Sequence, residues 1–356
     1  MVTVGAAAGR RVRHSPIRPV RRRPQLASGG HVLLLTGATG FLGHHLLPSL
    51  QGAGYKVRAL ARPGSNAQFI KESGAEIVTV SDISDSSAVE RACRGCRYVV
   101  HAAAHFRMWG SFLAFWQTNV AGTAAVLEAA RRAGVQRLVH VSSVVVVGRP
   151  DPTRVIDEDT PCRPQDYYQR SKLEGEKLAL AYCQHVRLPV VVVRPGALYG
   201  PWGRYAFNRL FFEDPLRGWR IKVNGGRHVT FPAYAPDVAA GIVAALQEGR
   251  AGSVYNLSGQ SLTHNAVNDI VSDLAGISRY RLNVPSPLVL ALARVWTALS
   301  RFTGREPFYP INLAHYVFQD WVVSSARAQA ELGFSTTPFR RGAQETLEWY
   351  RQHKIV

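Results

Sequence analysis

Leu33-Leu34-Leu35-Thr36-Gly37-Ala38-Thr39-Gly40-Phe41-Leu42-Gly43 decides how the rest of the chain is read. An apolar run leads into three glycines at G-x-x-G-x-x-G spacing, and Phe41, Leu42, Leu46 and Leu47 then recur at helical spacing. That order predicts a strand, a tight turn and a helix. Missing side chains let the backbone approach a pyrophosphate, and the free N–H groups of a helix N-terminus meet its charge. Glycines also punctuate ordinary turns, so the spacing alone is weak. With a strand before it and a helix after it, the stretch predicts a dinucleotide site.

Outward from this stretch, apolar segments alternate with helical ones. Strands are expected over 31–36, 56–61, 76–80, 98–102, 137–142 and 189–194, and helices over 115–133 and 167–185. Several strands are near-continuous Val/Leu runs, as in parallel sheets buried on both faces. Gly74 and Gly134 stand where helices should stop ahead of the next strand. The alternation predicts an α/β fold with a doubly wound parallel sheet. It fades after Arg194, where Trp202, Tyr205, Phe207, Phe211, Phe212 and Trp219 crowd a proline-punctuated region. A smaller, discontinuous substrate-facing region is expected there. The resulting division is a basic tail over 1–29, a nucleotide-binding core over 30–200, and a mainly substrate-binding lobe over 201–356 with some segments returning to the core. Residues 287–302 form an apolar helical pattern interrupted by Arg294 and Arg301. Lobe packing explains it, and a membrane-surface helix is the alternative.

The chain has 356 residues, 46% hydrophobic and 19% charged, the profile of a soluble globular protein. Its net charge of +19 is unusual. Seven arginines and no acidic residue lie in Met1–Gly30, which leaves +12 on the remainder. Such a field suits nucleic acid, anionic lipid or a phosphorylated ligand. A basic proteome is the simpler account, and with no nucleic-acid-binding module present, no nucleic-acid partner is expected. Residues 1–29 are expected to lack fixed structure, although an organelle transit peptide has a similar composition. No apolar run reaches membrane-spanning length. Of the four cysteines, Cys93 and Cys96 form a C-x-x-C without a second pair, so no metal site is expected. Few cysteines in so long a chain suit a reducing compartment; the expected location is cytoplasmic, with a membrane-peripheral association left open.

Tyr168-Gln-Arg-Ser-Lys172 places a phenol and an ammonium four residues apart, on one face of a helix. A nearby cation lowers the pKa of a phenol from about 10, and a tyrosine so tuned can exchange a proton with a carbonyl or alcohol oxygen. Upstream, Val139-His140-Val141-Ser142-Ser143 ends an apolar strand in hydroxyls. In an open parallel sheet ligands bind at the carboxyl ends of the strands. Ser143 there can hydrogen-bond a reacting oxygen, or merely cap local backbone.

Together these residues resemble the extended short-chain dehydrogenase/reductase superfamily, also called the NAD-dependent epimerase/dehydratase family. The matching pieces, in order, are Thr36-Gly-x-x-Gly-Phe-x-Gly43, Asp82-Ile83, His101-Ala-Ala-Ala104, Asn119-Val-x-Gly-Thr123, Ser142-Ser143, Tyr168-x-x-x-Lys172 and Arg194-Pro-Gly-x-x-Tyr-Gly-Pro201. Asp237-Val-Ala and Glu331-Leu-Gly-Phe334 extend the match over nearly everything after the tail. The resemblance implies that Tyr168 is the acid/base, that Lys172 holds the nicotinamide ribose and tunes Tyr168, and that Ser143 polarises the substrate oxygen, with Ser142 as fallback. It implies that Asn119 supports the active-site helix. Gly37, Thr39, Gly40, Phe41, Leu42, Gly43, Asp82, Ile83, Ala102, Ala103, Ala104, Lys172 and Pro195 would border the cofactor. A homodimer is a further expectation from the resemblance.

Cofactor and substrate class are read from less. The second strand ends Ala61-Arg62 where a free ribose 2′-OH usually meets an acidic residue. Arg62 suits a 2′-phosphate through charge-assisted hydrogen bonds, so NADP(H) is favoured over NAD(H); a solvated surface arginine is the alternative. Phe106, Met108, Trp109, Phe112, Phe115 and Trp116 crowd the ligand edge of the sheet, which suggests an apolar or ring-containing small-molecule substrate. Phe106, Trp109, Ser143 and Tyr199 are the expected substrate contacts. The segment around Phe106-Arg-Met-Trp109-Gly resembles dihydroflavonol-reductase-like, 3β-hydroxysteroid-dehydrogenase-like and hopanoid-associated members, which implies a ketone/secondary-alcohol oxidoreductase. Two other readings stay open. One is a nucleotide-sugar epimerase or dehydratase with tightly held NAD, using Arg194, Tyr199, Arg204, Arg209, Arg217 and Arg227 on a diphosphate. The other is a non-catalytic NADP-binding subunit.

Overall fold

Six strands lie where the apolar runs place them: β1 (Val32–Thr36), β2 (Lys56–Ala61), β3 (Glu76–Thr79), β4 (Tyr98–His101), β5 (Arg137–Val141) and β6 (Val190–Pro195). A seventh, β7 (Val254–Leu257), completes one parallel sheet in the order β7-β6-β5-β4-β1-β2-β3. The computed structural model describes residues 30–355; the arginine-rich stretch 1–29, expected as a tail, lies outside the described residues. Strand order reverses between β1 and β4, so their carboxyl ends open the crevice in which doubly wound sheets bind ligands.

The central strands are buried on both faces, which is why they read as continuous Val/Leu runs. Leu33 and Leu35 of β1 face one apolar layer with Leu46, Leu47 and Leu50 of α1 (Phe41–Gly52). Leu34 faces the opposite layer with Val126, Leu127 and Ala130, from α2, a continuous helix over residues 112–132. That helix carries one wide π-helical turn, Gln117–Ala121, where an unbroken α-helix was expected. On the same side lies α3 (Tyr167–Val186), capped by the Asp166 carboxylate, which accepts from the Gln169 N–H at 2.8 Å. α4 (Ala235–Glu248) packs on the first layer beside α1 and brings the chain after residue 201 back to the sheet.

Beyond the sheet stand three two-stranded ladders, 197–199 with 232–234, 229–230 with 262–263, and 221–223 with 282–284. The helices α5 (Ser286–Thr303) and α6 (Phe339–Gln352) belong to this region. Its core is aromatic: Tyr199, Phe207, Phe212, Tyr234, Phe339 and Tyr350. The two parts meet at α1, where His44 is stacked between Phe69 and Trp202 and His45 is hydrogen-bonded to the Pro201 carbonyl at 3.0 Å. Cys93 and Cys96 are packed thiols in the second apolar layer, and burial pushes Cys93 up to about 12.

Candidate active site

The crevice begins at the glycine turn. Gly37 has φ +75°, and a Cβ there would lie 2.7 Å from the Ala102 carbonyl carbon and the Ala103 nitrogen. A Cβ on Gly43 would lie 2.1 Å from the Ala38 oxygen. Only glycine fits at either place, so the turn is drawn tight against the end of β4. Gly40 caps α1 without a side-chain acceptor, leaving first-turn N–H groups for a ligand. The residues present therefore fit a dinucleotide: a side-chain-free turn, a helix start and the flat Ala102-Ala103-Ala104 edge share one crevice. Asp82 and Ile83 are tied to α2, because the Asp82 carboxylate accepts from Gln117 Nε2 at 3.5 Å, and Ile83 lies where a Cβ on Gly122 would meet it at 2.5 Å. Pro195 is buried at the end of β6. Arg62 is exposed at the end of β2, and the nearby His105 imidazole is lowered first by burial and then by the charges of Arg107 and Arg62.

Behind the turn runs a buried hydrogen-bond chain that links both halves of the site. Thr36 Oγ1 is bonded to His101 Nδ1 at 2.7 Å, and His101 Nε2 to Thr123 Oγ1 at 3.0 Å. Thr123 spends its only proton on the Asn119 carbonyl (2.8 Å), so the Nε2–H tautomer is assigned to His101. Asn119 sits in the wide turn of α2, accepts the His105 N–H at 2.7 Å and donates to Ser171 Oγ at 2.9 Å. Ser171 in turn donates to the Tyr168 carbonyl at 2.9 Å. Wide turns of this kind recur at functional sites. Here the turn is close-packed, since a Cβ on Gly175 of α3 would lie 2.6 Å from the Asn119 oxygen. Thr36, His101 and Thr123 entered the sequence reading only as motif ends without a role, and Ser171 was not singled out. The N-x-x-G-T spacing was the signal that pointed at this region.

Tyr168 and Lys172 lie one turn apart on α3, and Ser143 reaches the Tyr168 phenol from the end of β5. Ser143 Oγ lies beside the Tyr168 phenol and favours its ionised form. Ser142 is committed elsewhere: it donates to Glu176 at 2.5 Å, inside a buried ion pair between Glu176 and Arg194. That leaves Ser143 as the hydroxyl available to a ligand. Lys172 is 4% exposed, donates to the Val141 carbonyl at 2.7 Å, and is brought by burial to about 8. The Tyr168 phenol is raised above its usual value, first by burial and then by the Asp166 carboxylate, while the Ser143 hydrogen bond acts in the opposite sense.

Phe106 lies against Tyr168 with ring centroids 4.9 Å apart, and Phe115 stands 6.4 Å from the same ring. The Phe106 loop is clasped from the second lobe: Tyr205 Oη accepts the Met108 N–H at 2.9 Å, Asn312 donates to the Met108 carbonyl at 3.2 Å, and Glu306 accepts from Tyr205. Trp109 is half-buried on this loop and is not paired with the Tyr168 ring among the described residues. Tyr199 is corrected as a substrate contact. It is 2% exposed within the aromatic core, on Phe339 and Phe212, at the end of the strand paired with 232–234.

Comparison with known proteins agrees with this geometry. The family model described as NAD dependent epimerase/dehydratase family matches residues 33–258. A putative dihydroflavonol 4-reductase from Synechocystis is 28% identical, over 90% of this chain and 95% of its own. A 4-hydroxy-2-methyl-3-oxo-4-farnesyl-3,4-dihydroquinoline-1-oxide ketoreductase from Stigmatella aurantiaca is 30% identical over 85% of this chain and 91% of its own. Among solved structures, a double mutant of the dTDP-glucose 4,6-dehydratase DesIV from Streptomyces venezuelae with NAD bound superposes with a TM-score of 0.73 at 26% identity, covering 91% of this chain and 98% of that one. The chain belongs to the NAD-dependent epimerase/dehydratase family, and is an NAD(P)-dependent enzyme of the extended short-chain dehydrogenase/reductase type.

Proposed function

We propose that this protein interconverts a ketone and a secondary alcohol on an apolar, ring-containing small molecule, with NADP(H) as the preferred cofactor. The observation that carries the reading is the aromatic wall of Phe106 and Phe115 against the Tyr168 ring, directly beside Ser143. An apolar surface at the reacting oxygen favours a hydrophobic skeleton. Residues 30–200 bind the nucleotide, with Arg62 on the 2′-phosphate, and 201–356 shape the substrate side. The nicotinamide, when bound, supplies or takes up the hydride. In reduction the Tyr168 phenol gives its proton to the carbonyl oxygen, which the Ser143 hydroxyl hydrogen-bonds and orients. A phenol kept protonated by burial suits that direction. Lys172 supplies positive charge beneath the site, and Asn119 holds α2 and α3 in register through Ser171.

The nucleotide-sugar reading is weakened by how the arginines are used. Arg204 and Arg217 are paired with Glu213, Arg209 with Asp214, and Arg194 with Glu176. Four of the five arginines are thus engaged within the protein, Arg204 and Arg217 sharing one carboxylate, and Arg227 alone has no ion-pair partner among the described residues, which argues against a waiting diphosphate site. The test is a panel of apolar ketones with NADPH, run on wild type and Tyr168→Phe. The expected result is a loss of about 100-fold to 10,000-fold in kcat with the NADPH Kd preserved. Undiminished turnover in the variant contradicts the role of Tyr168. Activity only on nucleotide sugars contradicts the substrate class.

A further inference from the structure

α5 is amphipathic in a way that its own lobe does not use. Ala293 and Ser300 are buried and Trp296 packs on Phe308, which marks the face turned to the protein. Leu288, Leu292, Val295, Leu299 and Phe302 are 44–89% exposed. Their steps of four and three residues place all five on one stripe, an arc of about 80° at ~100° per residue. The stripe points away from the buried face. Monomeric surfaces rarely leave so continuous an apolar row in water.

Charge identifies what would cover it. No Asp or Glu occurs from residue 274 to 305, nor from 215 to 236. The two segments are joined by the ladder of 221–223 with 282–284, which leads straight into α5. Ile221 and Leu282 are register partners in it, and both are exposed. Arg220, Lys222, Arg227, Arg294 and Arg305 have no ion-pair partner among the described residues, whereas Arg204 and Arg217 nearby in sequence both pair with Glu213. Cations without an ion-pair partner among the described residues, on the ladder and helix that carry the exposed apolar residues, match a surface that is anionic at its skin and apolar just beneath. A folded protein partner would have to bring both features. A second copy of this chain would place arginine against arginine. No helix among the described residues is long and apolar enough to cross a membrane, so the contact is in-plane.

We propose that α5 and the adjoining ladder dock the enzyme on an anionic lipid bilayer, with the stripe in the acyl boundary and the unpaired arginines and lysine at the headgroups. None of Leu288, Leu292, Val295, Leu299 and Phe302 is a residue assigned to the crevice, so the proposal does not depend on the identity of the substrate. It is tested by co-sedimentation of the full chain with vesicles of phosphatidylcholine and phosphatidylglycerol in equal parts, and with phosphatidylcholine alone. Binding to the mixed vesicles, weakened by salt, is expected, with little binding to phosphatidylcholine. Leu292→Glu/Leu299→Glu should lower the partition coefficient about tenfold or more, and Arg294→Gln should flatten the salt dependence. Both positions are exposed, so the melting temperature and NADPH affinity of the double variant should match wild type. Equal vesicle binding by wild type and the double variant would overturn the proposal, and would move the interaction to the arginine-rich 1–29. So would absent vesicle binding together with self-association that the double variant abolishes, because the stripe would then be covered by a second copy. Failure to bind either vesicle also overturns it.

Discussion

A Cβ on Gly43 would stand 2.1 Å from a backbone oxygen, whereas Tyr199 in the second lobe is surrounded by side chains, with Phe339 at 4.9 Å and Phe212 at 6.2 Å between ring centroids. The nucleotide half is held by close approach of backbone to backbone, which tolerates no added atom. The second half is held by aromatic volume and by ion pairs such as Arg204 with Glu213. Damage to the first should therefore appear as lost ligand binding, and damage to the second as lost stability.

The largest separation should come from Phe212→Ala. Phe212 is fully buried in the aromatic core, and its truncation is expected to cost about 3–5 kcal/mol of stability. NADPH affinity, measured well below the melting transition, should be retained. Gly43→Ala should do the reverse, with NADPH affinity down by about 100-fold through a displaced α1 start and a smaller change in melting temperature. If both variants lose affinity and stability in proportion, the two halves are one cooperative unit and the distinction fails.

A smaller effect distinguishes two histidines within the nucleotide half. His101 is hydrogen-bonded at both nitrogens, and burial lowers it to about 3; His140, its register partner on β5, is buried with neither nitrogen bonded and is also held well below its usual range. Both are neutral in the folded protein near pH 6, where the unfolded chain begins to protonate them. Stability should therefore fall as pH drops below about 6.5, by up to about 1.4 kcal/mol per pH unit for each histidine. His140→Val should make the decline shallower between pH 6.5 and 5, read by urea unfolding at each pH. An unchanged slope would show that His140 is protonated alike in both states.

These differences also explain what could be read from the sequence. The parallel sheet was legible because buried strands leave Val/Leu runs and the turn leaves spaced glycines. Tyr168, Lys172 and Ser143 could be singled out from helix and strand-end spacing, whereas Asn119 was marked only by the N-x-x-G-T resemblance. Tyr199 was misplaced because an aromatic residue near a ligand edge has the same composition whether it faces the crevice or the core. The raised Tyr168 phenol was not legible either, since it depends on burial and on the approach of the Asp166 carboxylate, neither of which has a sequence signature. The wide turn at Gln117–Ala121 is likewise set by tertiary packing of α3 on α2.

We propose that the crevice takes an exchangeable NADP(H) for reduction of an apolar ketone. The most direct test is to identify any nucleotide carried by the purified protein, then titrate NADPH and NADH against wild type and Arg62→Ala. The account predicts an empty or exchangeable site that prefers NADPH in wild type, with about tenfold of that preference lost in the variant. A tightly retained NAD⁺ that does not exchange, indifferent to Arg62, would contradict it and favour epimerase or dehydratase chemistry.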